Sequence, residues 1–370
     1  MNQPGATVIL SLRSVARGPW LTQLYALEDF TAAALAADVV PAPVPSRLAS
    51  RLISRRRVRR GLARTRTPVV RPPQLNPDSY ETLIAFSNDV FTFRDGFMEL
   101  LNRIPQVAKR RILYLDESWS SDIRANPKAY QQAAGVFTHI FTTLPSAASL
   151  LAATTEVPVR AVPSSIDLKS LVPWSADPRP IDITWLGRKL SHQHESLLDW
   201  ASTQRFYNYD ATPPRDVTNF AEHRRALGNT LLNSNFWITN PARIDDPKRI
   251  EGAIEVGLRS YEALAAGCLM LGRLPREAEF FQKDFADLPG LVDFDIDSSQ
   301  VPAQVTELLN DPAAIRTART KHRLRGLERC DLAHGLQRIL GEVGLSEVPA
   351  VTERIAYLQA EAARLRSGTD

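Results

Sequence analysis

Short apolar runs alternate with helix-forming stretches along this chain, and the alternation runs twice. Strand-like runs fall at residues 6–12, 82–86, 111–115, 135–142 and 157–162, with helical patterns at 20–37, 95–103 and 145–153. The stretch from Val162-Pro-Ser-Ser-Ile-Asp167 to Pro173, followed by the proline-rich piece at 178–180, breaks this rhythm. The pattern then restarts. Strands are expected at 181–186, 205–209, 236–239, 268–271 and 291–294, and helices at 193–203, 258–266, 301–309, 313–329 and 332–343. Strands joined by helical crossovers build parallel sheets covered on both faces. The pattern therefore predicts two α/β domains, 1–172 with an insert at 41–77, and 173–345. A final segment, 346–370, carries Val351, Ile355, Leu358, Ala362 and Leu365 at spacings of four and three, which predicts an amphipathic helix able to return toward the first domain.

Composition excludes several alternatives. A chain of 370 residues with 44% hydrophobic and 23% charged residues can bury two cores and is neither fibrous nor disordered throughout. Its 45 Lys and Arg against 41 Asp and Glu leave a formal charge of +4, too even for a whole-chain nucleic-acid footprint, so no nucleic-acid partner is expected. Cys268 and Cys330 form no CxxC pair, which points to a reducing compartment. No uninterrupted apolar run approaches the length of a membrane span. Residues 6–10 are too short for a signal-peptide core and lack a basic flank, so a cytoplasmic location is expected.

The insert departs from this even charge. Arginine recurs through 51–66 between two proline clusters. Three readings are open: a solvated loop, a surface for anionic membrane, and a nucleic-acid arm. For the membrane reading, Leu48, Leu52, Ile53, Val58 and Leu62 supply an apolar side to 47–66, placing the protein at the inner membrane face. The nucleic-acid arm lacks interleaved aromatic residues to stack bases.

The most informative stretch is Glu255-Val-Gly-Leu-Arg-Ser-Tyr-Glu-Ala-Leu-Ala-Ala-Gly-Cys-Leu-Met-Leu-Gly272. It reads as a glycine turn, a short helix, a glycine stop and a buried strand. Gly257 permits close backbone approach, and the helix start offers unpaired N–H groups at the positive end of the dipole. That is an anion site suited to a diphosphate. Arg259 adds a planar donor fork for phosphate oxygens. Glu262, three residues on, could accept hydrogen bonds from two adjacent ribose hydroxyls. The same spacing equally suits a surface ion pair between Arg259 and Glu262.

Gly257-Leu-Arg-Ser-Tyr-Glu-Ala-Leu-Ala-Ala-Gly267 resembles the donor-binding segment of glycosyl transferases group 1, and within them the spore maturation protein-like branch, with its R-x-[FY]-E-A-L-A-[AC]-G signature. The downstream strand, Pro275-Arg-Glu-Ala-Glu-Phe-Phe281, the run at 291–294 and Asp331-Leu-Ala-His334 follow the same order. Val162-Pro-Ser-Ser-Ile-Asp-Leu168 is similar to the family's inter-domain P-N-G-I-D turn, with Ser164-Ser165 in place of Asn-Gly. The resemblance covers roughly 162–345. It implies a GT-B fold, two Rossmann-like α/β domains facing across a cleft, and transfer of a sugar from a nucleotide diphosphate sugar with retention. It also implies donor contacts at Gly257, Leu258, Arg259, Tyr261 and Glu262. Many members carry a second glutamate eight residues before the one matching Glu262; here that position is Ile254, and Glu255 is one place out of register.

Trp185-Leu-Gly187-Arg188-Lys189 resembles the family's G-R turn, whose cations stabilise charge on the departing diphosphate. The same residues also suit an exposed loop. His192 and His194 lack Cys or carboxylate companions for a zinc site, and the alternation Asp293-Phe-Asp295-Ile-Asp297 reads as a strand-end polar run. No metal and no resident cofactor is expected; the nucleotide sugar is a co-substrate.

The first domain is left for the acceptor, a carbohydrate, lipid or small molecule. Strand 111–115 ends in Asp116-Glu117-Ser118-Trp119, and ligands of open α/β sheets gather at strand carboxyl ends. Asp116 or Glu117 would orient an acceptor hydroxyl and Trp119 would stack on a sugar; helix capping is the competing role. Arg13 and Asn88-Asp89 are further strand-end candidates. The rival to an enzyme is a non-catalytic GT-B-fold nucleotide-binding or adaptor protein, favoured by Ile254.

Overall fold

The computed structural model describes residues 6–43, 75, 78–98, 100–203, 205–210, 216–294, 301–345 and 347–368. The segment 47–66, with its membrane reading, and Asp295 and Asp297 lie outside the described residues.

Two parallel sheets form the molecule. The first contains β1 (Thr7–Ser11), β2 (Asp38–Pro41), β3 (Tyr80–Ser87), β4 (Ala108–Leu115), β5 (His139–Thr142) and β6 (Val159–Ala161), in the order β2-β1-β3-β4-β5-β6. The second contains β7 (Ile181–Trp185), β8 (Tyr207–Tyr209), β9 (Ser234–Ile238), β10 (Leu269–Gly272) and β11 (Leu291–Asp293), in the order β11-β10-β9-β7-β8. Every strand pair is parallel, as expected of apolar strands joined by helical crossovers.

Burial follows the pleat. Val8, Leu10, Leu83 and Leu113 enter one core of the first lobe, while Ile9, Ile84, Phe86 and Ile112 enter the core on its opposite face. In the second lobe Trp237 and Met270 face one core, and Phe236, Ile238, Leu269 and Leu271 the other. Strand order reverses between β1 and β3 and again between β7 and β9, which opens a crevice at the carboxyl ends of both sheets.

Several elements differ from the sequence reading. The helix expected at 95–103 lies earlier, at Val90–Phe97, because the Asp89 side chain caps it by accepting the Thr92 N–H at 2.7 Å. Phe220–Leu232 is a helix in a stretch where the sequence pattern predicts no element, with Asn219 as its cap. The chain returns to the first lobe with Leu332–Glu342, one helix before the expected terminal one; Leu332, Leu336, Ile339 and Leu340 enter the first-lobe core beside Ile9 and Leu24. The last helix, Pro349–Ser367, spans both lobes, with Val351 in the first-lobe core and Leu358, Ala362 and Leu365 in that of the second. Arg354 fixes this crossing by pairing with hinge Asp167 at 2.7 Å and buried Asp331 at 2.6 Å. Among the described residues no helix is long and apolar enough to cross a membrane.

Candidate functional site

The second-lobe crevice is built from three strand ends and one helix start. Gly257 is the N-cap of Leu258–Ala266, and no side chain caps it. A Cβ at Gly257 would stand 3.0 Å from the Asn240 carbonyl, closer than side chains usually come, so glycine lets the loop after β9 lie here without shifting. The first N–H groups of such a helix have no partner within it and carry the positive end of the dipole. This end faces the other lobe: Glu255, two residues upstream, accepts the Ser146 backbone N–H at 2.8 Å, at the start of the first-lobe helix Pro145–Thr155. Burial raises the pKa of Glu255, against the Ser146 hydrogen bonds.

Arg259 and Glu262 meet each other. Their atoms approach to 2.5 Å, with the Glu262 side chain 1% exposed and that of Arg259 34% exposed. The alternative i,i+3 pair is thus formed, with its carboxylate inside the protein rather than on the surface. Burial raises the Glu262 pKa, against the Arg259 charge and hydrogen bond. The guanidinium lies 6.0 Å from the centroid of the buried Trp237 ring. His223, on Phe220–Leu232, is also near; burial and then the Arg259 charge lower its pKa. Tyr261 turns into the core, edge-on to Phe285 with centroids 5.2 Å apart, so its ring packs away from the helix start. Leu258 packs against the same core.

The turn after β7 adopts φ +95° at Gly187, a conformation that favours glycine. The Trp185 indole N–H closes it by donating to the Arg188 carbonyl at 2.9 Å. Arg188 pairs with Asp245 at 3.0 Å, and Lys189 pairs with Asp210 at the end of β8. Each of the three cations expected at a phosphate therefore holds an internal carboxylate.

In the first lobe, burial and then the Glu117 charge push the Asp116 carboxyl up to about 7. Glu117 accepts from Arg243 of the second lobe through two nitrogens, one at 2.9 Å. Burial would raise the Glu117 pKa, but the Arg243 hydrogen bonds and charge outweigh it and hold the group low. Arg249 with Asp122 at 2.7 Å, and Arg124 with Glu251, continue this seam between the lobes. Trp119 corrects the stacking expectation: it is 1% exposed, and its indole N–H donates to Glu117 at 2.8 Å. Arg13 is held by Glu28 at 3.1 Å and Asp29 at 2.6 Å, and Asp89 is a helix cap.

His194 bonds the Tyr207 hydroxyl at 2.8 Å inside an aromatic cluster with Trp185 and Tyr209, and Asp293 pairs with Arg276 at 2.6 Å. Among the described residues no three His, Cys, Asp or Glu gather as metal ligands. Sequence reasoning missed Asp210, Asp245, Arg243 and His223. Asp210 alone had a signal, as a carboxylate directly after an expected strand; the other three lie in stretches without a strand pattern.

No protein-family model matches the chain, and comparison with curated proteins finds none similar. Solved structures do match. HepE of Anabaena, crystallised with UDP and glucose, aligns over 92% of this chain and 99% of its own, with TM-score 0.51 and 8% identity. A glycosyltransferase from Rickettsia africae aligns over 92% and 98%, with TM-score 0.53 and 10% identity. Identities this low speak to architecture, and the topology agrees: the chain has the GT-B fold, two Rossmann-like α/β lobes facing across a cleft.

Proposed function

We propose that the protein transfers a sugar from a nucleotide diphosphate sugar to a hydroxyl of a carbohydrate, lipid or small-molecule acceptor, with retention and without a metal. The observation that carries this reading is the uncapped start of Leu258–Ala266 at the boundary between the lobes. A diphosphate there meets the N–H groups of Leu258 and Arg259, ahead of the Ser260 N–H that donates to the Gly257 carbonyl, and the helix dipole. In the same fold, HepE was crystallised with UDP and glucose.

Gly257, Leu258 and Arg259 hold phosphate, and Glu262 takes the ribose hydroxyls once Arg259 turns from it to the ligand. Gly187, Arg188 and Lys189 approach the departing phosphate. Breaking the sugar–phosphate bond leaves negative charge on the diphosphate, and fixed donors lower the barrier by stabilising that charge as it develops. The lobes bring donor and acceptor together, which removes much of the entropic cost of their encounter. Asp116 and Glu117 stand on the acceptor side. Their contrasting pKa directions suit a group that can exchange a proton beside one that stays charged.

Thermal-shift screening of nucleoside diphosphates, followed by donor hydrolysis and transfer assays in chelator, tests the reading. Failure of every nucleoside diphosphate to stabilise the protein would end it. Peripheral membrane contact through 47–66 is a separate proposal; vesicle flotation that persists after deletion of those residues removes it.

A second reading, a nucleotide-binding protein without turnover, is favoured by one local feature. Ile254 stands where many group 1 members have glutamate, and the neighbouring carboxylate, Glu255, is engaged with Ser146. Nucleotide-dependent stabilisation with no turnover across a broad acceptor panel would select it.

A further inference from the structure

Lys189 stands at the phosphate turn, yet none of its protons is free. An ammonium has three N–H donors. Those of Lys189 go to the Gly187 carbonyl at 3.2 Å, the Asp210 carbonyl at 2.6 Å and Asp210 Oδ1. The same carboxylate accepts the Gly187 backbone N–H, at 3.1 Å through Oδ1 and 2.9 Å through Oδ2. One anionic group thus takes a backbone N–H and an ammonium together, the donor pair a phosphate oxygen would use.

The surroundings allow exchange. A Cβ at Gly187 would meet nothing within 4 Å, so the turn borders open space. The Trp185 indole holds the turn through the Arg188 carbonyl, independently of Asp210. Asp210 belongs to the end of a different strand, and a third of its side chain is exposed, so its carboxylate can leave for water without unfolding the turn.

We propose that Asp210 is an internal competitor for the donor's phosphate: it occupies the Gly187–Lys189 anion position until a more highly charged diphosphate displaces it. This deepens the donor-site reading above and rests on it. Asp210 thereby sets how much charge a ligand must bring before Lys189 is released. The contrasting role is a permanent brace, in which Asp210 shapes the turn and the ligand needs it in place. The two roles give opposite signs on removal of the charge.

The test is calorimetric titration of the wild type and Asp210→Asn with inorganic pyrophosphate, uridine diphosphate and guanosine diphosphate at one low ionic strength. The expected result is tighter binding of pyrophosphate and of whichever nucleotide binds, by roughly threefold to tenfold, the range for losing a partly exposed charged contact. Asp210→Ser, which also removes the charge, serves if the asparagine variant does not fold. Glu342→Gln controls for general loss of negative charge and is expected to change affinity less than about twofold, since the pair it breaks, with Arg160 of the first lobe, is well exposed. Equal or weaker binding by a folded Asp210→Asn overturns the proposal while leaving the donor site standing. Equal tightening by Glu342→Gln overturns it as well. If none of these ligands binds either protein, the donor-site reading fails and this inference fails with it.

Discussion

Removing the Glu262 carboxylate separates the two roles that the sequence allows it, a ribose contact and an ion pair with Arg259, of which the structure forms the second. The side chain is 1% exposed and takes a 2.5 Å contact from Arg259, which is itself a third exposed. Glu262→Ala releases that guanidinium to a ligand. For inorganic pyrophosphate, which has no ribose, binding no longer requires breaking an ion pair. A partly exposed pair of this kind is worth about 0.5–1 kcal/mol, so pyrophosphate should bind roughly twofold to fivefold tighter. For uridine or guanosine diphosphate the same gain is set against loss of the ribose contacts, charged hydrogen bonds of about 1.5–3 kcal/mol. The net expectation is weakening by about 0.5–2.5 kcal/mol, or about twofold to seventyfold. Calorimetry with pyrophosphate and the preferred nucleoside diphosphate gives both numbers, and an unchanged far-ultraviolet spectrum and unfolding midpoint establish that the variant is folded. Affinities for the two ligands that rise together would refute the ribose role and leave Glu262 as a partner of Arg259 alone.

Glu28 is pushed from 4.5 up to about 7, chiefly by burial and against the Arg13 charge. The folded state therefore holds more protons than the unfolded one between those values, and stability should fall as pH rises through that window, by on the order of 3 kcal/mol; denaturant unfolding of Glu28→Gln should show this pH dependence much reduced. Arg243→Ala leaves the Glu117 charge half-buried with the Trp119 indole but without its cation, so a loss of about 1.5–3 kcal/mol is expected, together with a larger radius of gyration by X-ray scattering as the seam loosens; an unchanged radius would show that the other inter-lobe pairs suffice. Gly267→Ala must hold φ +68° and place its Cβ 2.9 Å from the Arg319 carbonyl and 3.0 Å from Trp174. It should cost about 2–4 kcal/mol in thermal unfolding, and a loss below 1 kcal/mol would mean that the backbone there yields easily.

The sequence by itself determined the two parallel sheets, the break between them and the glycine-bounded helix of the second lobe. These are local properties: apolar strands, crossover helices, Gly257 at a cap and Gly267 at positive φ all act within a few residues. Locality also explains the misses. A capped helix such as Phe220–Leu232 has only a weak apolar stripe, and it packs through tertiary contacts: Phe220 with the Tyr25 ring at 4.6 Å between centroids, and Leu227 and Leu231 in the second-lobe core. No pattern within reach of Leu332 announces that the helix it begins will cross to the first lobe.

Tertiary structure decided most of the electrostatics of the site; the Arg259–Glu262 pair, three residues apart, was legible along the chain. Arg188, Lys189 and Arg259 were legible as cations beside glycine turns, but the carboxylates that hold Arg188 and Lys189, Asp245 and Asp210, are 57 and 21 residues away from them. Glu117 was legible at a strand end, whereas Arg243, 126 residues on, becomes its partner only when the lobes face each other. Secondary structure is written in near neighbours along the chain; charge at a site is a sum over neighbours in space, and folding chooses those.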